Sequence, residues 1–279
     1  MDEPTGQRMA DSADLAALRK RATALRRHVV SIAAAQHCHL GGSLSCADLM
    51  AALFFDFLRL DDTPQRRRDR FLLSKGHAVH VFHACLAELG KIDPAELPTS
   101  GRAGSRLGGH PTRKAPMVEF ATGSLGHALS VGVGITMAES LDGSASRTVV
   151  MLGDGELQEG TVWEAALCAP RFGLERLLAI VDYNKFQSAG AVDDVLPLEP
   201  LADKWRAFRW NVREIDGHDM AAIVGALHAP PAPAGPTVIV AHTVKGKGVP
   251  GIEGTARAHY TVLNEDEARR AYAALGGMA

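Results

Sequence analysis

The sequence predicts an α/β fold: a doubly wound, mostly parallel sheet with helices on both faces. The first observation is compositional, since a chain of 279 residues with 46% hydrophobic and 22% charged residues belongs to the globular class. The second is that short apolar runs alternate with helical patterns of about ten to fifteen residues, which is typical of parallel strands joined by right-handed crossovers. Such a sheet is covered by helices on both faces.

The beginning of the chain is predicted to be helical. Residues 1–12 are polar and acidic, and we expect a flexible tail there. We expect one domain over residues 13–279, because neither an internal repeat nor a long linker divides them. Apolar residues three and four apart predict an amphipathic helix over 12–36, opening with a serine suited to capping. A break at the glycine pair 41–42 precedes a second helix, for which Ser45 is the expected N-cap.

The next segment combines a strand, a corner and a long loop. Residues 70–90, RFLLSKGHAVHVFHACLAELG, predict a short strand, a Ser-Lys-Gly-His corner and a third helix ended by Gly90. Residues 92–120 are rich in proline, glycine and serine, and predict a long loop that carries GGHPTRK. Residues 121–140 predict another helix, with alanine or glycine along much of one face.

The rest of the chain alternates strand and helix. The strand RTVVML is followed by the corner GDGE, a helix over 159–173 and the strand LLAIVDYN. After a looser segment over 186–203, residues 203–227 predict a short helix, a strand and a helix. The apolar run PTVIVAH predicts the last strand, and NEDEARRAYAALGG predicts the last helix.

Charge and cysteine usage narrow the function classes. A formal net charge of −2 gives no reason to expect nucleic acid or a membrane surface as a partner, and the basic run at 65–70 is interpreted as a solvated turn. The four cysteines form no CxxC pair, which favours free thiols in a reducing compartment. The N-terminus carries no secretory signal, and no run of about 18 apolar residues exists. We therefore expect a soluble, cytoplasmic protein.

A polar residue follows each of two neighbouring apolar runs. The first is Asp154, within Gly-Asp-Gly, and the second is Asn184, after the next predicted strand. Because ligands of open parallel sheets lie beyond the carboxyl ends of the strands, both side chains are expected at one edge. A carboxylate with an amide oxygen suits Mg²⁺ completed by water and phosphate oxygens. The flanking glycines permit close backbone approach, and the helix beginning near Glu159 directs N–H groups towards an anion. These residues favour a magnesium–diphosphate site over the competing interpretation, an ordinary strand-to-helix turn.

The segment GDGELQEGTVWEAA…VDYNKFQ resembles the thiamine diphosphate motif in its transketolase version. Other motifs similar to the diphosphate-binding half of transketolases occur in the family's order: HLGGSLSCADLMAALF, DRFLLSKGHA, GGHP, MVEFATGSLGHALSVGVG, LADKWRAFRWNVREIDGHD and HTVKGKG. The resemblance covers most of the chain. It implies the thiamine diphosphate-binding fold, with thiamine diphosphate and Mg²⁺ (or Ca²⁺) as cofactors.

The resemblance also implies roles for individual residues. Asp154, Asn184 and the backbone carbonyl of Phe186 would coordinate the metal ion. The residues implied to contact the cofactor are His77, Gly123, Ser124, Leu125, Gly155, Glu156 and Asn184. For Glu159 and Glu164, the family role in a network between cofactor sites competes with a solvated helix face.

Three histidines are implied to be catalytic. His39 and His110 match histidines that face the reactive carbon of the cofactor and the substrate hydroxyls, where a neutral imidazole can donate and accept hydrogen bonds. The loop after KGKG supplies a further histidine in the family; an ungapped comparison places Ala256 there, and His259 three residues later is the candidate. Two other departures from the family pattern are Leu40, where proline is usual, and His127, where glutamine is usual.

In transketolases a glutamate from a following pyrimidine-binding domain activates the cofactor, and this chain ends at Ala279 without such a module. The resemblance therefore implies the N-terminal subunit of a split transketolase, active only with a separate C-terminal subunit that carries the pyrimidine-binding and C-terminal domains. We expect an α2β2 assembly that transfers a two-carbon ketol unit from a ketose to an aldehyde. Two alternatives stay open: a subunit of an enzyme that decarboxylates pyruvate and transfers the acyl unit, and a non-catalytic scaffold.

Overall fold

The core of the fold is a five-stranded sheet, and the computed structural model describes residues 12–63, 66–230 and 235–277. Its strands are β1 (Arg70–Leu73), β2 (Thr148–Gly153), β3 (Leu177–Tyr183), β4 (Asn211–Asp216) and β5 (Thr237–His242). They lie in the order β1-β2-β3-β5-β4, and every neighbouring pair is parallel. The predicted α/β class and parallel sheet are confirmed.

Helices connect the strands. They are α1 (Ser12–Ala35), α2 (Leu40–Ser45), α3 (Ala47–Ala52), α4 (Val79–Glu88), α5 (His127–Leu141), α6 (Gly160–Arg171), α7 (Val192–Val195), α8 (Leu201–Ala207), α9 (Met220–His228) and α10 (Glu265–Ala274). Short 3₁₀ turns at Gly76–Ala78 and Gly155–Gln158 follow β1 and β2, and a π-helical turn at Leu53–Phe57 extends α3. None of the helices in the described residues is long and apolar enough to cross a bilayer.

The sheet is covered on both faces, as the buried strand β2 shows. Val149 and Met151 belong to an apolar cluster with residues of α1, α3, α4 and α9, whereas Val150 and Leu152 belong to a second cluster with residues of α5, α6 and α8. Successive side chains of a strand point to opposite faces, so this alternation places a helical layer on each side.

Two helix boundaries differ from the sequence-based expectation. The break between α2 and α3 falls at Cys46 and not at the glycine pair. Ser45 caps neither helix, because it is the last residue of α2 and Cys46 holds the N-cap position of α3; its hydroxyl donates to the carboxylate of Asp182. The predicted helix over 121–140 begins only at His127, because Gly126 adopts a left-handed φ of 83° that ends helical continuity on its N-terminal side. The predicted tail lies outside the described residues up to residue 11, and Ser12 already belongs to α1.

The register of β2 and β3 positions Asp154 and Asn184. Gly153 is the partner of Asp182 at the carboxyl end of this pair of strands. Asp154 and Asn184, which follow these residues, therefore leave the sheet at the same edge. This is the edge at which open parallel sheets bind ligands.

Candidate active site at the carboxyl ends of the strands

A cavity of about 360 Å³ lies beyond the carboxyl ends of β1, β2 and β3. Its walls come from the corners after these strands, the start of α2 and the loop after β5. The lining residues are His39, Lys75, His77, Gly123, Leu125, Gly153, Asp154, Gly155, Glu156, Gln158, Asn184, Phe186, Gln187, Ser188, Lys245 and His259. Most of the sequence-predicted residues line this cavity; Ser124 and His110 are the exceptions.

Asp154 is a buried carboxylate whose charge has no side-chain cation bonded to it among the described residues. Its oxygens accept backbone N–H groups only, from Gly155 at 2.8 Å and from Lys185 at 2.6 Å. Burial and the nearby Asp182 raise its pKa to about 6. A buried carboxylate held in this way favours a cation beside it.

Asp182 is a neighbour of Asp154, and its carboxylate is bonded to a lysine and to two hydroxyl groups. It forms an ion pair with Lys75, and both side chains are completely buried. The hydroxyls of Ser45 and Thr243 also donate to it. Burial raises the pKa of Asp182, but Lys75 and these donors outweigh burial and hold the pKa below its ordinary value.

Asp182 also orients Asn184. The amide nitrogen of Asn184 donates to Asp182 over 3.1 Å, so the amide oxygen is directed the other way, where it accepts from the backbone N–H of Phe186 at 3.1 Å. The amide orientation is fixed because a carboxylate is an acceptor only. The oxygen of Asn184 and the carboxylate of Asp154 therefore face the same cavity.

Lys245, from the loop after β5, brings a second buried ammonium to the cavity. It donates to the carbonyl oxygen of Phe186 at 2.8 Å and lies 3.0 Å from Nδ1 of His259. Burial, together with Lys75, lowers its pKa to about 8. The carbonyl that the resemblance assigns to the metal ion is thus already a hydrogen-bond acceptor.

Four histidines lie close together, and three of them, His39, His77 and His259, line the cavity. The ring of His39 lies 5.5 Å from His77, 5.9 Å from His110 and 5.3 Å from His259, and His77 lies 5.6 Å from His259. The structure therefore brings together all four histidines singled out by sequence.

These rings are neutral at physiological pH. Burial, with a contribution from neighbouring cations, lowers the pKa of His39 and of His259 to about 4. Burial also lowers the pKa of His110, and holds that of His77 well below its usual range. A neutral imidazole offers one donor and one acceptor, which suits hydrogen bonds to hydroxyl and carbonyl oxygens.

Glu156 connects three segments around the cavity. Its carboxylate accepts the hydroxyl of Ser74, the backbone N–H of Gly126 at 2.8 Å and the backbone N–H of Gly153 at 3.0 Å. The residue lines the cavity as predicted, but its carboxylate is committed to these loops. Direct contact of that carboxylate with an anionic diphosphate would also be repulsive.

Glycines keep the cavity open at two places. A Cβ atom at Gly155 would lie 2.7 Å from Oε1 of Gln187, and one at Gly42 would lie 2.8 Å from Nε2 of His77. Side chains at these positions would displace residues of the cavity wall. A side chain at Gly155 would therefore crowd Gln187 in the wall of the cavity.

The remaining candidates lie at the rim. Ser124 and Gly123 are exposed in the turn before α5, and His127, Glu159 and Glu164 are exposed at the starts of α5 and α6. None of these residues lies deep in the cavity.

Sequence reasoning missed Lys75, Asp182, Lys245 and Tyr260, whose ring lies 4.8 Å from that of His39. One signal was available: Asp182 interrupts an otherwise apolar predicted strand, and a carboxylate buried there needs a partner. The partners themselves come from distant segments.

The donor set fits a divalent cation with a diphosphate. Asp154 supplies a buried carboxylate without a bonded side-chain cation among the described residues, and Asn184 supplies an oriented amide oxygen. These hard oxygen ligands leave positions for phosphate oxygens. Within the described residues no cluster of three or more histidine, cysteine or acidic side chains could cage a metal ion alone, so a ligand would have to complete the coordination.

Comparison with known proteins identifies the family. The family described as "Transketolase, thiamine diphosphate binding domain" matches residues 18–278. An apulose-4-phosphate transketolase subunit of Phocaeicola vulgatus is 40% identical over 245 residues, which is 87% of each chain. The 6-deoxy-6-sulfo-D-fructose transketolase subunit SqwG of a Clostridium species is 40% identical over 241 residues, covering 85% of this chain and 88% of the relative.

Solved transketolases share the fold. The enzyme of Leishmania mexicana superposes with a TM-score of 0.87 at 28% identity, covering 93% of this chain and 41% of that chain. The enzyme of Campylobacter jejuni gives a TM-score of 0.85 at 29% identity, covering 93% of this chain and 43% of the other. The chain thus spans about two fifths of the solved transketolases that it matches. It belongs to the transketolase family and forms that family's thiamine diphosphate-binding domain.

Proposed function

We propose that this chain is the N-terminal subunit of a two-component transketolase, which transfers a two-carbon ketol unit from a ketose to an aldehyde. Transketolase subunits of similar length support the proposal, and both relatives described above act on sugar derivatives according to their names. The observation that carries it is Asp154, a buried carboxylate without a bonded side-chain cation among the described residues, in a cavity that also holds an oriented amide and three neutral histidines.

Within this proposal, Asp154, Asn184 and the carbonyl of Phe186 would hold Mg²⁺ (or Ca²⁺), whose charge would balance that of the diphosphate. Thiamine diphosphate, when bound, supplies the nucleophilic carbon and the electron sink. Gly123, Leu125, Gly155 and His77, which line the cavity, would contact the cofactor. A contact of Ser124 would involve its backbone at the cavity rim.

The histidines would handle the substrate. His39, His110 and His259 would hydrogen-bond the carbonyl and hydroxyl oxygens of ketose and aldehyde, and would move protons between these oxygens as the carbon–carbon bond breaks and forms. Their low pKa values keep the rings neutral, so each ring can both donate and accept.

The partner would be a separate C-terminal subunit that supplies the activating glutamate. The word "subunit" in the names of both relatives supports a second chain, and an α2β2 assembly is our proposal for the whole. We also propose one domain over residues 13–279 and a cytoplasmic location. The pyruvate-decarboxylating alternative has no support among the relatives, which are transketolases by name.

Calorimetric titration of thiamine diphosphate with Mg²⁺ tests the cofactor site. We expect weak binding to this chain alone, tight binding to its mixture with the partner, and loss of binding in Asp154→Ala. Asp203→Ala is the matched control, because Asp203 is an exposed carboxylate on α8 with a side chain 69% accessible. Equal affinities for wild type and Asp154→Ala would refute the proposed metal site.

A turnover assay of the mixture tests the reaction. Consumption of a ketose with an aldehyde, without release of CO₂, is expected of a transketolase. Release of CO₂ from pyruvate would establish the alternative reaction, and binding without any turnover would favour the scaffold.

A further inference from the structure

A buried serine of the long loop joins two histidines of α4. The hydroxyl oxygen of Ser100 lies 3.0 Å from Nδ1 of His80 and 2.9 Å from Nδ1 of His83. Ser100 and His83 are fully buried, and His80 is 3% exposed. Because water has almost no access to these three polar groups, they have to satisfy one another.

The number of protons restricts how they can do so. A serine hydroxyl has one proton, and among the described residues it is bonded to these two rings alone. If both Nδ1 atoms were acceptors, one of them would face a lone pair of the hydroxyl oxygen. If both carried protons, the serine proton would be buried without an acceptor. All three groups are satisfied when one ring donates to Ser100 and Ser100 donates to the other ring.

The second nitrogen of His83 indicates the direction. Nε2 of His83 is buried and has no hydrogen-bond partner among the described residues. A proton there would be a buried donor without an acceptor, which proteins tolerate less often than a buried acceptor without a donor. Burial lowers the pKa of His80 to about 3 and that of His83 to about 4, so both rings are neutral. His83 therefore carries its proton on Nδ1 and donates it to Ser100, and His80 accepts from Ser100 and carries its own proton on Nε2.

Ser100 also connects α4 to the end of α1. The backbone carbonyl of Ser100 accepts a hydrogen bond from the side-chain amide of Gln36. Gln36 directly follows α1 and lies three residues before His39. The side-chain oxygen of Gln36 accepts from Arg102 at 3.3 Å, so the segment before His39 is bound to the loop on both sides of Ser100.

The residue after Ser100 packs against the segment that carries His110. The backbone N–H of Gly101 donates to the carbonyl of Leu107 at 2.6 Å, which turns the loop back on itself. A Cβ atom at Gly101 would lie 3.7 Å from Cα of Gly109, and Gly109 directly precedes His110. The position of His110 is therefore coupled to that of Ser100.

We propose that Ser100 is a positioning residue: it accepts from His83 and donates to His80, and this chain of hydrogen bonds fixes the segments that carry His39 and His110 relative to each other. The rings of His39 and His110 lie 5.9 Å apart, and this separation depends on the two segments that Ser100 joins. The role of this separation in the transfer reaction rests on the proposed function.

The same loop provides a matched control. The hydroxyl of Ser105 lies 2.9 Å from Oγ1 of Thr99 and accepts from the backbone N–H of Leu107 at 3.0 Å. Ser105→Ala removes a hydroxyl from this loop, as Ser100→Ala does, without removing a hydrogen bond from either histidine of α4.

Nuclear magnetic resonance of the imidazole nitrogens in the full chain tests the hydrogen bonds, with His80→Gln and His83→Gln to identify the signals. We expect wild type and Ser105→Ala to show His83 in the Nδ1–H form and His80 in the Nε2–H form. In Ser100→Ala we expect both rings to become mixtures of tautomers. Any other pair of tautomers in the wild type would overturn the proposal, whether or not a variant folds. Unchanged tautomers in folded Ser100→Ala would overturn it as well.

Kinetics of the complete enzyme, at a temperature at which each variant is folded, separate positioning from stability. We expect Ser100→Ala to lower kcat/KM for the donor ketose about tenfold, the order of one lost hydrogen bond, and Ser105→Ala to stay within about twofold. The Kd of thiamine diphosphate with Mg²⁺ should change less than about twofold in both variants, because neither hydroxyl is bonded to Asp154 or Asn184.

Equal losses of kcat/KM in the two variants, or no loss in Ser100→Ala, would contradict a positioning role for Ser100. Absence of turnover by wild type would refute the proposed function. The tautomers of His80 and His83, which are measured without substrate, would in that case still decide whether Ser100 joins these rings as proposed.

Discussion

Asp69 and Asp154 are buried aspartates at opposite ends of the same parallel sheet, and their charges are met in different ways. Asp69 precedes β1 and binds the guanidinium groups of Arg59 and Arg147 at 2.5 and 2.7 Å. The backbone N–H groups of the same two residues also donate to it. Asp154 follows β2 and receives two backbone N–H groups alone. Both residues are 3% exposed, so burial does not distinguish them.

The comparison separates a structural carboxylate from one prepared for a ligand. The charge of Asp69 is neutralised by arginines of its own chain, so this carboxylate needs no ligand. At Asp154 no side-chain cation of the described residues is bonded to the carboxylate, and burial of its charge costs stability until a cation binds. The supply of partners, more than the burial of the group, thus indicates which end of the sheet is functional.

The substitution Asp69→Asn should produce the largest change in stability. It leaves Arg59 and Arg147 without their anion, and we expect a loss of about 3 kcal/mol, at the lower end for a broken buried pair because both guanidinium groups are partly exposed. Urea unfolding at pH 8 measures it. A loss below about 1 kcal/mol would mean that Asp69 is not the structural carboxylate that the comparison requires.

The same substitution at the other end, Asp154→Asn, should stabilise the metal-free chain at pH 8. A raised folded-state pKa means that the folded protein binds the proton more tightly than the unfolded chain, so wild-type stability falls as pH rises from about 4 to about 6. A rise of about two pH units corresponds to roughly 3 kcal/mol. The amide can accept only one of the two N–H donors, which costs about 1 kcal/mol, so we expect a net gain of about 2 kcal/mol.

Unfolding of wild type and Asp154→Asn between pH 4 and pH 8 checks this sign. The advantage of the variant should be lost near pH 4, where the carboxyl is protonated in the folded state and about half protonated in the unfolded state. If Asp154→Asn lost as much stability at pH 8 as Asp69→Asn, the proposed difference between the two ends of the sheet would be wrong.

Of the three predicted changes in the free energy of unfolding, the one caused by cofactor addition should be the smallest. Thiamine diphosphate with Mg²⁺ at ten times Kd should stabilise wild type by about 1.4 kcal/mol through binding to the folded state. Asp69→Asn should retain this gain on its lower baseline, and Asp154→Asn should lose it. Thermal unfolding with and without the ligand pair, and with each component alone, measures the effect; an equal gain in both variants would place the ligand elsewhere.

The site was predictable where chemistry follows local sequence. Asp154 and Asn184 each end an apolar run, so strand pattern and sheet topology were sufficient to bring them together. The family motifs located the four histidines. The fold class followed from the same alternation of strands and helices.

The contacts that Ser45 and Lys75 make with Asp182 were not predictable from the sequence around each residue. Ser45 has the sequence context of a helix cap, yet its hydroxyl donates to Asp182, 137 positions away, over 2.6 Å. The hydroxyl proton needs an acceptor, which a buried carboxylate supplies and the N–H groups at the start of a helix do not, and only tertiary structure shows that Asp182 is there. Lys75 and Asp182 are likewise 107 positions apart. The same reason applies to α5, whose start is set by the conformation of Gly126 and by its contact with Glu156.

Glu156 has a kinetic consequence. Because one carboxylate accepts hydrogen bonds from Ser74, Gly126 and Gly153, we expect the corners after β1 and β2 and the turn before α5 to move together. The amide hydrogens of Gly126 and Gly153 should exchange with solvent slowly and at similar rates, since exchange of either requires its hydrogen bond to the Glu156 carboxylate to break. An incoming diphosphate then meets a surface that is already formed, and its association rate should be set by diffusion and charge and not by loop closure.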